Sequence, residues 1–178
     1  PHRWDRYWEC LAEAIAVFGK GEAGTHLIVG LGETEAEMAL AIQRTCDLGG
    51  GTHLFSFYPE PGSALEDRLP PPMAQYRRIQ IARHLIDGGL VRAEAFGYDA
   101  GGGIADFGVP AEVLKAAADS GAPFMTSGCT GRDGTVACNR PFANAPPGPD
   151  FRNYPFPPTP EDLERIRGQM GEREAFRL

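Results

Sequence analysis

The chain has 178 residues, 42% of them hydrophobic, enough to bury one sizeable core in a domain of ordinary size. Its formal charge of −7 offers no basic field to phosphate backbones, so nucleic acid is excluded as an expected partner on electrostatic grounds. Four cysteines are too few for a disulfide-dense scaffold, no stretch reaches ~18 consecutive apolar residues, and no cleavable leader is evident; a soluble, cytoplasmic protein with no membrane partner is expected.

Trp4, Tyr7, Trp8, Leu11, Ile15 and Phe18 recur at three- and four-residue steps, which predicts a core-facing helix ending at Gly19 or Gly21. The amphipathic pattern starts almost at Pro1, so the natural protein is expected to extend upstream. Thr25 to Gly30 is a short apolar run bounded by glycines and reads as a strand buried on both faces. Thr34-Glu35-Ala36-Glu37 has the form of a capping box, and Met38, Ile42 and Cys46 follow at four-residue spacing before Gly49-Gly50-Gly51. A helix from about Thr34 to Leu48 is predicted. Thr52 to Tyr58 is rich in β-branched and aromatic residues and is stopped by Pro59-Glu60-Pro61-Gly62, so it reads as the next strand. After a proline-rich loop, Tyr76, Ile79, Ala82, Leu85 and Ile86 mark another amphipathic helix.

The order α-β-α-β-α with short connections predicts an α/β fold. Since a complete eightfold barrel needs roughly 250 residues, residues 1–90 are expected to form a partial (β/α) TIM-type barrel. Residues 91–178 read as a loop-rich carboxyl-terminal extension. Within it, Ala95 to Tyr98 and Ile104 to Phe107 predict a β-hairpin, Pro110 to Ser120 a short helix closed by Gly121, and Thr159 the cap of a last polar helix to about Met170. Gly121 to Pro158 reads as loop.

Gly30-Leu31-Gly32-Glu33 sits where a strand hands over to a capped helix, the place at which α/β folds hold ligands. Glycines there let a ligand approach the main chain, and amides at the helix start can hold an anionic group. A tight β-to-α turn with no ligand is the alternative.

His26 to Thr34, followed one βα unit later by Phe55-Ser56-Phe57-Tyr58-Pro59-Glu60-Pro61-Gly62-Ser63-Ala64-Leu65-Glu66, resembles the later strands of radical S-adenosylmethionine enzymes of the biotin synthase and lipoyl synthase kind. Ile79 to Leu85, with Arg83 inside, resembles the helix that comes next, so the likeness spans about Trp4 to Gly89 and implies the carboxyl-terminal half of such an enzyme. The family's motif is Gly-x-Ile-x-Gly-x-x-Glu, with His26 here in place of the first glycine. The resemblance implies that Ile28 touches the adenine, Gly30 opens room for it, Leu31 and Gly32 complete the turn and Glu33 holds it. Tyr58 and Pro59 would give main-chain contacts to the same nucleoside. Phe55 is expected in the core.

Met125-Thr126-Ser127-Gly128-Cys129 and Cys138-Asn139-Arg140-Pro141 place two cysteines in a glycine-rich loop. Their thiolates could converge on one soft metal, although two cysteines cannot complete a four-ligand site; free thiols or a disulfide are the alternatives. These phrases also resemble the tails of the same family, in which the cysteines sit closer together. That likeness implies Cys129 and Cys138 as ligands of an auxiliary iron–sulfur cluster serving as sulfur store, with Ser127 and Arg140 as weaker candidates. Cys10 and Cys46 read as core thiols, His26 and His53 as hydrogen-bonded buried side chains, and Glu60, Glu66 and Asp67 as solvated loop charges.

The expected function is therefore the carboxyl-terminal part of a sulfur-inserting radical enzyme. It would bind S-adenosylmethionine, act on a small-molecule or carrier-protein-bound acyl substrate, and take an electron from a donor protein. The [4Fe–4S] cluster that cleaves the cofactor is held in the family by Cys-x-x-x-Cys-x-x-Cys, a spacing this chain does not contain, so its ligands are expected upstream and the chain alone should be inactive. No catalytic residue is assigned. The alternative is a non-catalytic metal-binding or accessory module that docks on a partner through an open barrel edge.

Overall fold

The computed structural model describes residues 3–130, 133, 136–138, 148 and 151–170. Helix α1 (Trp4–Phe18) stops at Gly19, whose φ of 104° takes the chain out of the helix. Its buried stripe is Trp8, Leu11 and Ile15, packed with Ala23 and Leu48 as a small satellite core. Trp4, Tyr7 and Phe18, expected on the same stripe, lie in solvent, as does Cys10. The expected stripe was too wide: only the central ridge is buried, while Tyr7 reaches Thr25 through its hydroxyl.

Strand β1 (Gly24–Val29) leads to helix α2 (Glu35–Asp47), strand β2 (Gly51–Ser56) and helix α3 (Met73–Asp87). The predicted capping box is formed in full: Glu37 N–H donates to Thr34 Oγ1 at 3.1 Å and Thr34 N–H to Glu37 Oε2 at 2.8 Å. β1 and β2 run parallel in strict register, His26 opposite His53 and Ile28 opposite Phe55. Their inward residues, Leu27, Val29 and Leu54, join Met38, Ile42, Ile79 and Leu85 in the main core.

α3 is the centre of the molecule. Except for His84, every residue from Tyr76 to Ile86 is buried, because α2 packs on one side and helices from the carboxyl-terminal region on the other. Three arginines go under with it, and burial favours those that find acceptors; Arg83 reaches only the Pro123 carbonyl, at 3.4 Å, among the described residues, and its Nε has none. Arg78 Nε donates to both Glu35 carboxylate oxygens at 3.0 and 2.9 Å, and Ile104 N–H donates to the same carboxylate at 2.7 Å. Arg77 donates to Gln80 and to the Arg152 carbonyl, both at 2.7 Å.

The carboxyl-terminal region begins with strands β3 (Gly97–Tyr98) and β4 (Ile104–Asp106), the antiparallel hairpin that was expected. Helix α4 (Ala111–Ser120) follows, closed by Gly121 in the left-handed region. Strands β5 (Cys129–Thr130) and β6 (Val136–Cys138) pair antiparallel, and helix α5 (Pro160–Met170) buries Ile166 and Met170. Phe151 to Tyr154, expected to be loop, is a fixed strap: Arg152, Asn153 and Tyr154 are buried, and Tyr154 bridges to Met125.

The expected partial TIM-type barrel is not formed. Among the described residues the strands make three separate two-stranded sheets, one parallel and two antiparallel. The outer edge of β2 shows why no further strand continues the parallel pair at that point. The Leu54 carbonyl already accepts Tyr76 Oη at 3.1 Å and Asn153 Nδ2 at 3.3 Å, so side chains occupy the edge. Nor are the strands buried on both faces: burial alternates residue by residue along β1 and β2. No helix among the described residues is long and apolar enough to cross a membrane.

Candidate functional site

Alternation leaves one face of the parallel pair open. His26 and Ile28 of β1 are exposed there, with Ile28 at 43% exposure, and His53 and Phe55 of β2 are half-buried beside them. Phe55 is thus on the open face, against the expectation of a core aromatic, because it is an odd member of the alternation. His26 is likewise exposed rather than buried.

At the end of β1 the chain turns through Gly30-Leu31-Gly32-Glu33. Gly30 N–H donates to Glu33 Oε1 at 2.7 Å and Leu31 N–H to Glu33 Oε2 at 2.9 Å, so Glu33 holds the turn as expected. Arg68 braces it from outside, donating to the Gly30 carbonyl at 2.8 Å. Both glycines are required by backbone conformation, with φ of 106° at Gly30 and 125° at Gly32. The space over Gly30 is taken, however: a Cβ there would lie 2.7 Å from Pro71 Cδ. Gly30 makes room for Pro71, not for a ligand.

The same hydrogen bonds decide what the turn can bind. The Gly30 and Leu31 amides are committed to Glu33, Ala36 N–H to the Gly102 carbonyl, and Glu37 N–H to Thr34. These four amides are therefore not open to an anion, since internal acceptors already occupy them.

Next to the turn is a cavity of about 800 Å³ between α1, β1 and α2. Ile28, Leu31, Gly32 and Glu33 line it, joined by Trp4, Trp8, His26, Met38, Glu37 and Arg44. Four of the seven residues expected at a nucleoside site thus meet at one place. Gly30, Tyr58 and Pro59 are not in its lining; Tyr58 instead has the Arg152 guanidinium 5.6 Å from its ring centroid. Comparison with protein-family models, curated proteins and solved structures finds no match. The site must be read from its own chemistry.

That chemistry is apolar walls with few polar groups. Trp8 is 3% exposed, Arg44 lies over its ring at 4.4 Å, and its buried indole N–H has no hydrogen-bond partner among the described residues. A buried donor without an acceptor is a cost that the packing of this wall must offset. Sequence reasoning missed Trp8 and Arg44, whose roles arise only when α1 and α2 close over β1.

Beyond the cavity the open face continues to His53, whose Nδ1 is 2.6 Å from Ser127 Oγ. Burial, then the neighbouring His26 and Arg83, push the His53 ring below the usual imidazole range, favouring its neutral form. Ser127 stands two residues before Cys129, and β5 and β6 set Cys129 directly opposite Cys138 in register. The backbone thus brings the two cysteines together, while their side chains and Arg140 lie outside the described residues. Among the described residues no group of three or more His, Cys, Asp and Glu side chains is placed to hold a metal. Cys46 is half-buried, with Sγ 3.7 Å from the Ile86 carbonyl, and burial raises its thiol.

Proposed function

We propose that this chain is the nucleoside-binding part of a radical S-adenosylmethionine enzyme of the sulfur-inserting type. The observation that carries the reading is the cavity at the β1–α2 turn, lined by Ile28, Leu31, Gly32 and Glu33, with Trp8 in its wall. A ligand fitted to it brings an apolar ring face. Adenosine attached to a sulfonium meets these terms, and the lining offers the Glu33 and Glu37 carboxylates to its positive charge and the Arg44 guanidinium to its carboxylate. When bound, S-adenosylmethionine would supply the radical precursor. This chain's own residues would orient its nucleoside: Ile28, Leu31 and the Trp8 ring by apolar contact.

The reductive step belongs to a [4Fe–4S] cluster whose three-cysteine motif is absent from these 178 residues, so no step is assigned to the chain. Cys129 and Cys138, opposite each other on β5 and β6, are the proposed contribution to an auxiliary cluster. The substrate would be an acyl chain, free or on a carrier protein, and a donor protein would supply the electron.

Isothermal titration with S-adenosylmethionine tests the cavity. The expected result is saturable binding, weakened at least about tenfold (~1.4 kcal/mol) by Ile28→Asp or Leu31→Asp, with ATP far weaker. Equal binding in wild type and both variants, or ATP binding as tightly, would overturn the reading.

The exposed apolar side chains of α1 favour a second reading. Trp4, Val17 and Phe18 are 63%, 77% and 67% exposed, as expected of a module that docks on a partner protein. Analytical ultracentrifugation separates the two: self-association abolished by Trp4→Ser, without any nucleoside binding, would favour docking.

A further inference from the structure

We infer that His26 and His53 form a two-imidazole site for a single divalent transition-metal ion of borderline softness, such as zinc, nickel or copper. The pair sits at matched register on adjacent parallel strands, both rings on the open face, with centroids 5.2 Å apart. For metal–nitrogen bonds of ~2.0–2.1 Å, two imidazoles on one tetrahedral ion have ring centres about 5 Å apart. The strands therefore already hold the rings at the spacing such an ion requires. The rings now meet edge to face, at 89°, and the ion would rotate the exposed His26 ring out of that contact.

The hydrogen bond of His53 fits a ligand. Its Nδ1 is engaged by Ser127 Oγ at 2.6 Å, which fixes the ring and leaves Nε2 as the free nitrogen. This is the usual arrangement behind a metal-binding histidine, where a partner on the second nitrogen sets orientation and tautomer. Phe55, 4.9 Å from the His26 ring, closes one flank with an apolar wall. Among the described residues no carboxylate is hydrogen-bonded to either ring, so the donor set is neutral nitrogen, which suits borderline ions and disfavours magnesium and calcium. The remaining positions would be filled by water or by an exchangeable ligand on the open face.

His26 also lines the nucleoside cavity, but the metal site rests on the paired ring geometry and not on that cavity's occupant, so either reading can fail alone. The test is zinc titration of the wild-type chain under reducing, anaerobic conditions, followed by NMR of the imidazole signals. The chain has four histidines, at positions 2, 26, 53 and 84, so the site-specific readout is simple. The expected result is one zinc per chain, with the signals of His26 and His53 shifting together and those of His2 and His84 unmoved. Zinc binding should survive in a Cys129→Ser/Cys138→Ser variant, fall at least about tenfold in His26→Gln and His53→Gln, and weaken about tenfold in Ser127→Ala. Copper should bind more tightly than zinc. The inference is overturned if zinc leaves His26 and His53 unshifted, or if binding disappears with the cysteines and persists in the His26→Gln/His53→Gln variant. The NMR arm uses only wild-type protein, so a variant that fails to fold does not spare the proposal.

Discussion

The two faces of the β1–β2 pair are built from alternate residues of the same strands, yet they do opposite work. Thr25, Leu27, Val29, Thr52, Leu54 and Ser56 are buried under α2 and α3, where any change disturbs a packed core. His26, Ile28, His53 and Phe55 face the other way, where His53 bonds Ser127 and the His26 ring meets those of His53 and Phe55. Strand pairing thus lets candidate functional side chains stand on a base that their neighbours in the same strands pack. Core and candidate site are separated by a single residue step.

Four experiments would sharpen or break that division. The largest effect should come from Glu35→Ala, which removes from the core the carboxylate that accepts from both the Arg78 guanidinium and Ile104 N–H. We expect a loss of about 3–5 kcal/mol in urea unfolding. Leu54→Ala, on the closed face, should cost about 2–5 kcal/mol, whereas Ile28→Ala on the open face should stay within about 0.5 kcal/mol. Comparable losses at these two positions would mean that both faces are packed, and the division would collapse. Glu33→Gln, at the turn joining the faces, should cost about 1.5 kcal/mol, read in the same way, because a charged acceptor of two main-chain N–H groups is lost.

The smallest effect is a pH dependence. Burial comes first among the causes that lower both His53 and His84, so each ring binds its proton less readily folded than unfolded. Their contribution is full above the unfolded value of about 6.5 and is lost as pH falls through the lowered folded values. Stability measured in a chelator should therefore decline below about pH 6.5, with a shallower slope in His53→Gln. An unchanged slope in that variant would place the effect on His84 alone.

Much of the fold was legible where the signal is local. The Thr34 capping box, Gly121 beyond α4 and the glycine-bounded strand each act over a few residues, and each element appears close to its expected position. What failed depended on distant partners. An apolar run such as Thr25 to Val29 does not reveal whether one face or both are covered, and the α-β-α-β-α order behind the expected partial barrel does not reveal whether further strands join the sheet. The carboxyl-terminal strap was invisible because hydrogen bonds from α3, not an apolar period, bury it. Of the cavity's lining, Leu31, Gly32 and Glu33 were singled out by their place between strand and helix and Ile28 by the family resemblance. Gly30 was misread, since nothing in the sequence announces that Pro71 lies against it. His53 and Ser127, 74 positions apart, could not be linked from sequence.

The strap has a consequence in time. Arg77 Nη1 and Gln80 Nε2 both bond the Arg152 carbonyl, the arginine across a separation of 75 residues. During synthesis α3 emerges long before that acceptor, so the growing chain carries a helix whose central arginine has no place to be buried. Closing so long a loop is entropically unfavourable until many contacts form together, which makes docking of Phe151–Tyr154 a late event. A ribosome paused before Arg152 would therefore hold a chain that has its strands and its turn but not yet a finished core.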